Sequence, residues 1–351
     1  MKIKKVTLVF TIKNTFVLKD IALLKSLGYS VLLIHSPPHK DPFRFFYNRI
    51  REFVLCFFYA FQSQAIISWF NDYHTFFPLL WAKLFGKIST IIVGGYDAVS
   101  SSELEYGIFY KNNFRQKLVR LNYRLSDHIW VVNKTLAKGC EKAKADSKTY
   151  SGILTFIPNL KTPILEVPTA YDSTFWKLEE LKQKKTVLTV ANIYDERTFK
   201  RKGIPLFISL ARALPFHRFT IAGIKPLNLK LDNLPKNIPL LETQTRRELK
   251  ALYSQNQFYF QGSKIEGLPN VLCEAMLCEC VPIGNAVFGI PDAIGKTGLL
   301  FVKETSIDIL TGFLNKNPQR MGCEARKRIQ KAYPLKRREK AFIKMLSKIN
   351  D

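Results

Sequence analysis

Two glutamates in one short segment have a spacing that suggests a binding site. In "IEGLPNVLCEAM", residues 265–276, Glu266 and Glu274 lie eight positions apart. Apolar residues flank Glu274 on both sides, and a buried carboxylate is costly unless a polar or charged group pairs with it. The alternative, an exposed residue on a solvent-facing stripe, agrees poorly with those neighbours. We therefore interpret Glu274 as a ligand-binding acid.

The residues between the two acids predict an anion site at the start of a helix. Leu268 precedes Pro269 and is biased away from helix, whereas a proline suits the first helical position, so we expect a helix from about residue 269. Ligand phosphates could approach the free N–H groups there and the bare backbone of Gly267. Glu266 follows predicted strand 257–262, at the sheet edge where open parallel sheets bind ligands. Alternatively, Glu266 only stabilises the helix N-terminus, by about 0.3–1 kcal/mol.

Apolar strand patterns alternate with helical patterns and predict a covered parallel sheet in each half of the chain. In the first half, the predicted strands are 5–11, 30–35, 65–70, 89–94, 128–133 and 153–157, and the predicted helices include 16–28, 74–86 and 112–126. In the second half, the strands are 186–192, 217–223, 257–262, 281–285 and 297–302, and the helices are 205–214, 246–255 and 269–279.

The length of 351 residues exceeds one ordinary hydrophobic core, so we expect two domains. Residues 158–180 contain Pro158, Pro163 and Pro168 and few periodic patterns, which is typical of a linker. We divide the chain into an N-terminal domain, a linker, a C-terminal domain and a helical tail packing back on the N-terminal domain, at residues 1–165, 166–185, 186–330 and 331–351.

The net charge of +26 is spread along the chain, with +12 through residue 160 and +14 after it. Such a charge suits nucleic acid, an anionic membrane or phosphate-bearing substrates, and a solvated basic surface is the alternative. The six cysteines lack zinc-site spacing, which favours free thiols in a reducing cytoplasm. The apolar run Val6 to Phe10 after the Lys-rich start is too short for a membrane span, so we expect a strand there.

The stretch "GSKIEGLPNVLCEAMLCECVPIGNAVFGIPDAIGKTGLLF" resembles the Glu-x7-Glu signature of the family 4 retaining glycosyltransferases. The upstream segments "VAN…KG", "FTIAG" and "LYSQNQFYFQGSKIEG" agree with that family in order and spacing, and "GGYD" and "VPTAYDSTFW" agree more loosely. The resemblance covers about residues 5–345. It implies the GT-B fold, an α/β architecture of two Rossmann-like, doubly wound domains that face a cleft.

The resemblance also implies roles for these residues. Glu266 would face the transferred sugar and Glu274 would bind the nucleotide ribose, with further donor contacts from Ser263, Gly267, Leu268 and Pro269. The reaction would be retaining transfer from a nucleotide-sugar such as a UDP- or GDP-sugar, with no cofactor and no metal. The acceptor would be a glycan or a lipid-linked molecule.

One basic position departs from the family pattern. Members use an Arg and a Lys to neutralise the donor diphosphate; Lys202-Gly203 matches the Lys, but Asn192 stands where the Arg is expected. Arg197, Lys200 or Arg201 could supply the missing cation, and we include Arg197 and Asn192 among the donor-site candidates. The alternative to diphosphate binding is that the run "KRKG", residues 200–203, is a basic turn exposed to solvent.

The acceptor side also departs from the family pattern. Many members place a His at the end of the fourth strand, but here that strand ends in Gly94-Gly95-Tyr96-Asp97. Asp97 is the ionisable group nearby, so we interpret it as a catalytic candidate that orients or deprotonates the acceptor. An ordinary Asp in a Gly-rich turn is an equally good explanation.

Residues 41–61 predict an aromatic, basic helix. We expect its main apolar stripe, from Phe43 to Phe61, to cover the sheet, while Phe45, Leu55 and Tyr59 on the far side face outward. Exposed aromatics with arginines suggest a helix that lies on anionic lipid. A helix wholly used in covering its own sheet is the alternative.

Together these features predict a glycosyltransferase at the cytoplasmic membrane face. One alternative is an epimerase of the same fold, for which we find no separate acid/base set. Another is a basic nucleic-acid-binding protein, which lacks support because no nucleic-acid-binding motif occurs in the sequence. We therefore expect no specific nucleic acid as a partner.

Overall fold

The structure is a computed structural model that describes residues 4–39, 41–225, 233–316 and 318–347. The first residues of the Lys-rich start and the last four residues of the expected tail lie outside these ranges.

The N-terminal half is built from eight strands and seven helices within the described residues. The strands are β1 (Lys5–Phe10), β2 (Ser30–His35), β3 (Ala65–Trp69), β4 (Ile88–Val93), β5 (Val99–Ser101), β6 (His128–Val131), β7 (Thr149–Ser151) and β8 (Ile164–Glu166). The helices are α1 (Thr15–Ser26), α2 (Pro42–Gln62), α3 (Tyr73–Leu84), α4 (Phe114–Leu125), α5 (Thr135–Lys138), α6 (Glu141–Ser147) and α7 (Ile153–Phe156).

The C-terminal half contributes six strands and eight helices within the described residues. The strands are β9 (Gln183–Ile193), β10 (Arg218–Ile224), β11 (Leu240–Leu241), β12 (Asn256–Gln261), β13 (Val281–Asn285) and β14 (Leu299–Phe301). The helices are α8 (Glu196–Arg201), α9 (Ile204–Ala213), α10 (Arg246–Gln255), α11 (Asn270–Leu277), α12 (Ile290–Ile294), α13 (Ile307–Leu314), α14 (Gln319–Ala332) and α15 (Leu335–Ser347).

Each half contains one six-stranded parallel sheet. The strand orders are β2-β1-β3-β4-β6-β8 and β11-β10-β9-β12-β13-β14, so the first strand of each half lies inside its sheet. The chain therefore reverses its winding direction beside β1 and beside β9, and ligands bind at such switch points in doubly wound sheets. Buried apolar residues fill the strands, as expected for sheets covered on both faces. The predicted α/β architecture with two Rossmann-like sheets is confirmed.

The carboxyl edges of the two sheets meet across a cleft. Gly94, after β4, packs so closely on Gly267, after β12, that a Cβ on Gly267 would lie 2.4 Å from the Gly94 carbonyl oxygen. Asn133, after β6, donates a 2.7 Å hydrogen bond to Asp292 of α12. The residues that follow the strands therefore come together from both halves.

Helix α15 contacts the N-terminal half through a buried ion pair. The Arg338 guanidinium contacts Asp20 of α1 at 2.5 and 2.6 Å, and both side chains are 2% exposed. Arg338 also donates to the carbonyl oxygens of Val167 and Pro168. Trp69 donates to the same Asp20 carboxylate. Because every charge there has a close partner, the pair anchors the end of the chain to α1.

Three predictions about the segment between the two sheets differ from the structure. Residues 153–157, expected as a strand, form the short helix α7, because a brief apolar run does not distinguish a strand from a buried helical turn. The sixth strand of the first sheet is β8, which lies within the Pro-containing segment 158–180 expected to be irregular. Strand β9 begins at Gln183, inside the expected linker.

The predicted orientation of α2 is also wrong. The residues that face the protein are Asn48, Glu52, Cys56 and Ala60, an i, i+4 row of small and polar side chains. Glu52 accepts hydrogen bonds from Ser36 and Arg49, which compensates its burial. The aromatic stripe expected to cover the sheet is exposed instead, at Phe43, Phe46, Tyr47, Ile50, Val54, Phe57, Phe58 and Phe61. Phe45, Leu55 and Tyr59, expected to face outward, are half-buried.

Candidate functional site

A partly buried ion pair marks the carboxyl edge of the C-terminal sheet. The Lys202 ammonium lies 2.6 Å from Oε2 of Glu266, and the two side chains are 16% and 20% exposed. Lys202 follows α8, and Glu266 lies between β12 and α11. The structure thus brings together two of the residues predicted for the donor site, 64 positions apart in sequence.

Local backbone features fix the position of Lys202. Asp195 caps α8 by accepting a 2.7 Å hydrogen bond from the Thr198 N–H, and Lys202 is the C-cap residue. Gly203 then has a φ of +73°, and a Cβ there would lie 2.1 Å from the Gly262 carbonyl oxygen. Only glycine meets both conditions, so Gly203 lets α9 start directly beside the segment that carries Glu266.

The neighbours of Glu266 keep it ionised. Burial raises the pKa of this carboxyl, but the positive charges of Lys202 and Arg201 outweigh burial, and its pKa lies below the usual value. A hydrogen bond from Ser263 acts in the same direction. Burial lowers the pKa of Lys202, and the like charge of Arg201 lowers it further. Ser263 therefore stabilises the ionised form of Glu266. Lys202, Arg201 and Glu266 together form a charged cluster.

Glu274 is 4% exposed on α11 and has a charged partner from the other half of the chain. The Lys19 ammonium of α1 lies 2.9 Å from its Oε1. The same ammonium lies 4.5 Å from the centre of the Tyr171 ring, a cation–π contact. The cost of burying this acid is thus offset by a lysine 255 positions away, a contact that no local pattern signals.

The segment before α11 differs in detail from its prediction. The first helical residue is Asn270, with Pro269 at the N-cap position instead of inside the helix. A side chain on Gly267 would collide with Gly94 and Val132 of the opposite half, so the absence of a Cβ here allows the two halves to pack closely. Leu268 and Pro269 are buried. The free N–H groups at the start of α11 remain the anion-binding feature of this segment.

Asp97 is fully buried, and both of its carboxylate oxygens are occupied. Oδ1 accepts hydrogen bonds from the N–H groups of Gly94 and Gly95 at 3.2 and 3.0 Å, and Oδ2 accepts one from Asn71 at 3.1 Å. Burial raises the pKa of Asp97 to about 7, against the effect of these hydrogen bonds. Asp97 therefore holds the Gly94–Gly95 turn in this structure, and a contact between Asp97 and the acceptor stays a prediction.

The candidates for the missing cation differ in their exposure and in whether their charge is already paired. Asn192, at the end of β9, is exposed. Arg197 lies 3.7 Å from Asp195 and donates to the Glu105 carbonyl oxygen at 3.4 Å, so its charge is already paired. Lys200 is exposed. The segment from Asn192 to Lys202, expected to be a loop, contains helix α8, which turns these side chains in different directions.

Cross-cleft contacts are the functional feature that sequence patterns missed. The segment 102–106 of the N-terminal half reaches the C-terminal half at three places. Glu103 pairs with Lys264 at 2.7 Å, Glu105 accepts from Arg197, and the Tyr106 ring centre lies 4.7 Å from the Arg201 guanidinium carbon. The only signal for this segment was its position after the Gly-rich turn.

Two further properties concern the described residues as a set. Within the described ranges, no cluster of three or more His, Cys, Asp or Glu side chains is arranged to hold a metal ion. None of the helices in that part of the chain is long and apolar enough to cross a membrane.

Comparisons with known proteins agree with this architecture. The family described as "Glycosyl transferases group 1" matches residues 171–330. The "Phosphatidylinositol N-acetylglucosaminyltransferase GPI3 subunit" of Saccharomyces cerevisiae is 23% identical over 320 residues, covering 84% of this chain and 69% of the yeast protein.

Solved structures share the whole fold. Sucrose-phosphate synthase from Thermosynechococcus elongatus superposes with a TM-score of 0.75 at 13% identity, covering 99% of each chain. Anabaena Alr3699/HepE in complex with UDP gives a TM-score of 0.66 at 11% identity, covering 98% of this chain and all of the other.

The two facing parallel sheets and these matches define the class of protein: it has the GT-B fold. The match over residues 171–330, which includes Lys202, Glu266 and Glu274, then gives the activity. The protein is a glycosyltransferase.

Proposed function

We propose that the protein is a retaining, metal-independent glycosyltransferase of the family 4 type that transfers a sugar from a nucleotide-sugar to a lipid-linked acceptor at an anionic membrane surface. The observation that carries the donor part is the Lys202–Glu266 pair at the carboxyl edge of the C-terminal sheet. The exposed apolar face of α2 carries the membrane part.

In this proposal Lys202 meets the charge that develops on the departing diphosphate. An ammonium has three donors, so Lys202 can keep Glu266 and also bind a phosphate oxygen. The free N–H groups at the start of α11 supply further stabilisation without reorganisation. Ionised Glu266 then faces the positive charge that develops on the sugar as its bond to the diphosphate breaks. The acceptor hydroxyl attacks from the face that the diphosphate leaves and gives its proton to the departing diphosphate oxygen, and attack from that face retains the stereochemistry.

Glu274 binds the ribose hydroxyls in this proposal. A carboxylate has two oxygens, and Oε1 is held by Lys19. The second oxygen can accept from a ribose hydroxyl, so the ion pair orients the acid for the ligand. A UDP-sugar is the first donor to test, because Anabaena Alr3699/HepE, which shares the fold, is described in complex with UDP.

The exposed face of α2 supports a lipid surface as the partner. Nine large apolar side chains on this helix are 39% to 87% exposed: Phe43, Phe46, Tyr47, Ile50, Phe53, Val54, Phe57, Phe58 and Phe61. Arg44 and Arg51 are exposed on the same helix, whereas Glu52, its acidic residue, is buried. An apolar face with exposed cations and no exposed acid suits a helix lying in an anionic interface. A lipid acceptor also agrees with the name of the yeast relative, a phosphatidylinositol N-acetylglucosaminyltransferase subunit.

A thermal-shift screen tests the donor. Nucleoside diphosphates and their sugars should raise the melting temperature of the wild-type protein, since a ligand that binds only the folded state stabilises it. Glu274→Ala should lose most of that shift. If no nucleotide shifts the wild-type protein, the proposed donor is wrong.

Liposome flotation tests the membrane surface. The wild-type protein should float with vesicles containing phosphatidylserine, and Phe46→Ser/Ile50→Ser/Phe58→Ser should stay at the bottom of the gradient. Phe216→Ser is the matched control, because Phe216 is 88% exposed on the C-terminal half. Equal flotation of all three proteins, or no flotation of wild type, would contradict the membrane part.

A further inference from the structure

We propose that Arg201 supplies the second positive charge for the donor diphosphate, and that Tyr106 of the opposite half positions it. This inference rests on the proposed donor site. Asn192 stands where an Arg is expected, and the inference assigns the role of that Arg to Arg201, the residue before Lys202. Donor binding then also depends on a side chain from the N-terminal half.

The first argument is the charge balance of the cluster. Lys202 and Arg201 contribute two positive charges and Glu266 one negative charge. Within the described residues Arg201 forms no ion pair, whereas Arg197 pairs with Asp195. The cluster therefore has a net charge of about +1 while partly buried, where an unpaired cation is costly. An anionic ligand is the missing partner.

The second argument is placement. Arg201 is the last residue of α8, and its carbonyl oxygen accepts a 2.8 Å hydrogen bond from the Lys264 N–H. Its side chain is half-buried, and its charge acts on both Glu266 and Lys202. Lys200, one position earlier, is exposed. Arg201 thus belongs to the same charged cluster as Lys202, which places it to contact a diphosphate bound there.

The third argument is the chemistry of the ligand. A diphosphate carries several acceptor oxygens around two phosphorus atoms, more than one ammonium can bind. A planar guanidinium binds two phosphate oxygens at once, while Lys acts as a point charge. Arg201 and Lys202 at consecutive positions combine the two modes.

Tyr106 determines where the Arg201 guanidinium lies. The guanidinium carbon is 4.7 Å from the Tyr106 ring centre, and the ring is itself packed edge-on against Tyr96 at 5.1 Å. The Glu103–Lys264 ion pair at 2.7 Å holds the same segment against the C-terminal half. A cation held on an aromatic face keeps its N–H groups free, because the face accepts no conventional hydrogen bond. Tyr106 is therefore a positioning residue that leaves Arg201 free for phosphate.

Calorimetric titration tests Arg201 by comparing the affinity of the protein for UDP with its affinity for uridine, and its affinity for GDP with that for guanosine. For the pair that binds wild type, Arg201→Gln should weaken the nucleoside diphosphate about 10- to 100-fold, the scale of a lost hydrogen bond to a charged group, and leave the nucleoside unchanged. Arg212→Gln, an exposed change on α9, is the control and should alter neither affinity. Circular dichroism should confirm that each variant is folded.

Tyr106 is tested by two substitutions. Tyr106→Phe keeps the ring and should retain the wild-type ratio of diphosphate to nucleoside affinity. Tyr106→Leu removes the ring and should lower that ratio about 2- to 5-fold, the scale of an exposed cation–π contact.

The outcomes separate the two proposals. If no nucleoside diphosphate binds wild type, the donor proposal itself fails. If one binds wild type and binds Arg201→Gln equally well, only the Arg201 inference is overturned. A loss in Arg197→Gln with no loss in Arg201→Gln would assign the second cation to Arg197 instead. Equal ratios for Tyr106→Phe and Tyr106→Leu would remove Tyr106 from the account.

Discussion

The carboxyl edges of the two sheets face each other, but they hold their charges differently. At the N-terminal edge, Asp97 accepts hydrogen bonds from three backbone N–H groups, and Asp72 accepts them from Nε and Nη2 of Arg115. Burial lowers the pKa of His74 to about 4, so its imidazole is neutral at pH 7. At the C-terminal edge, Lys202 and Arg201 share a single acid, Glu266.

This difference separates structural charges from functional ones. Charges that are fully compensated within the protein position backbone turns and neighbouring helices, and their removal should cost stability. A cluster with an uncompensated charge is suited to a ligand, and its removal should cost binding or catalysis. Under the proposed function, the C-terminal edge would act on the charged donor, while the N-terminal edge would provide shape.

The largest expected effect is on catalysis at the C-terminal edge. Glu266→Gln should lower kcat about 100- to 1000-fold, the scale of losing one preorganised electrostatic contact to the transition state. Nucleotide binding should remain within a few-fold of wild type. Asp97→Asn is the counterpart at the N-terminal edge and should retain at least about a tenth of the activity. A larger loss for Asp97→Asn than for Glu266→Gln would reverse the comparison.

The next effect is on stability and concerns a fully compensated charge. Arg338→Met leaves Asp20 buried without its cation, which should lower the free energy of unfolding by about 3–5 kcal/mol. Urea unfolding measures this change, and Arg337→Met, an exposed neighbour, is the control. Stability within 1 kcal/mol of wild type would show that the pair is not structural.

A smaller effect is expected where the two edges touch. Gly267→Ala places a Cβ 2.4 Å from the Gly94 carbonyl oxygen and 2.9 Å from a Val132 methyl, so the two halves must move apart. We expect a loss of about 1–3 kcal/mol in unfolding free energy, as for other overpacked sites. Gly312→Ala is the matched control, because nothing lies within 4 Å of its added Cβ. Equal stability of the two variants would mean that the contact is loose.

The last effect is a pH dependence from Asp97. Its pKa is raised to about 7 when folded, so between about pH 4 and pH 7 the folded state keeps a proton that the unfolded state has lost. Stability from this group is therefore present at low pH, falls as pH rises through that window and levels off above it. Asp97→Asn should flatten the dependence by on the order of 1 kcal/mol per pH unit, measured by urea unfolding. Parallel curves for the two proteins would show that Asp97 does not titrate in this range.

The sequence predicted the strands well because buried parallel strands are continuous apolar runs, as in "AIISW" and "QFYFQ". It failed at α2 because the largest apolar stripe was assigned to the core. The buried face there consists of Asn48, Glu52, Cys56 and Ala60, whose burial depends on Arg49 and on close packing. Hydrophobic patterning alone cannot distinguish a core-facing stripe from one used on another surface.

The sequence supplied candidates for the site where residues are close in sequence. Glu266 and Glu274 were proposed from one segment, and Lys202 from a motif that precedes it. Contacts between distant residues had no such signal, as with Lys19 and Glu274 or Tyr106 and Arg201. The three N–H groups that bind Asp97 also had no sequence signal, because their position depends on how the chain turns after β4.

The most direct measurement compares one cation from each edge. Titration of the best-binding nucleoside diphosphate should show an affinity loss of about 10- to 100-fold for Lys202→Met, because a charge-assisted contact to phosphate is removed. Arg115→Met, at the N-terminal edge, should bind within about twofold of wild type once circular dichroism shows that it is folded. Undiminished binding by Lys202→Met, or an equal loss in both variants, would contradict the assignment of the donor to the C-terminal edge.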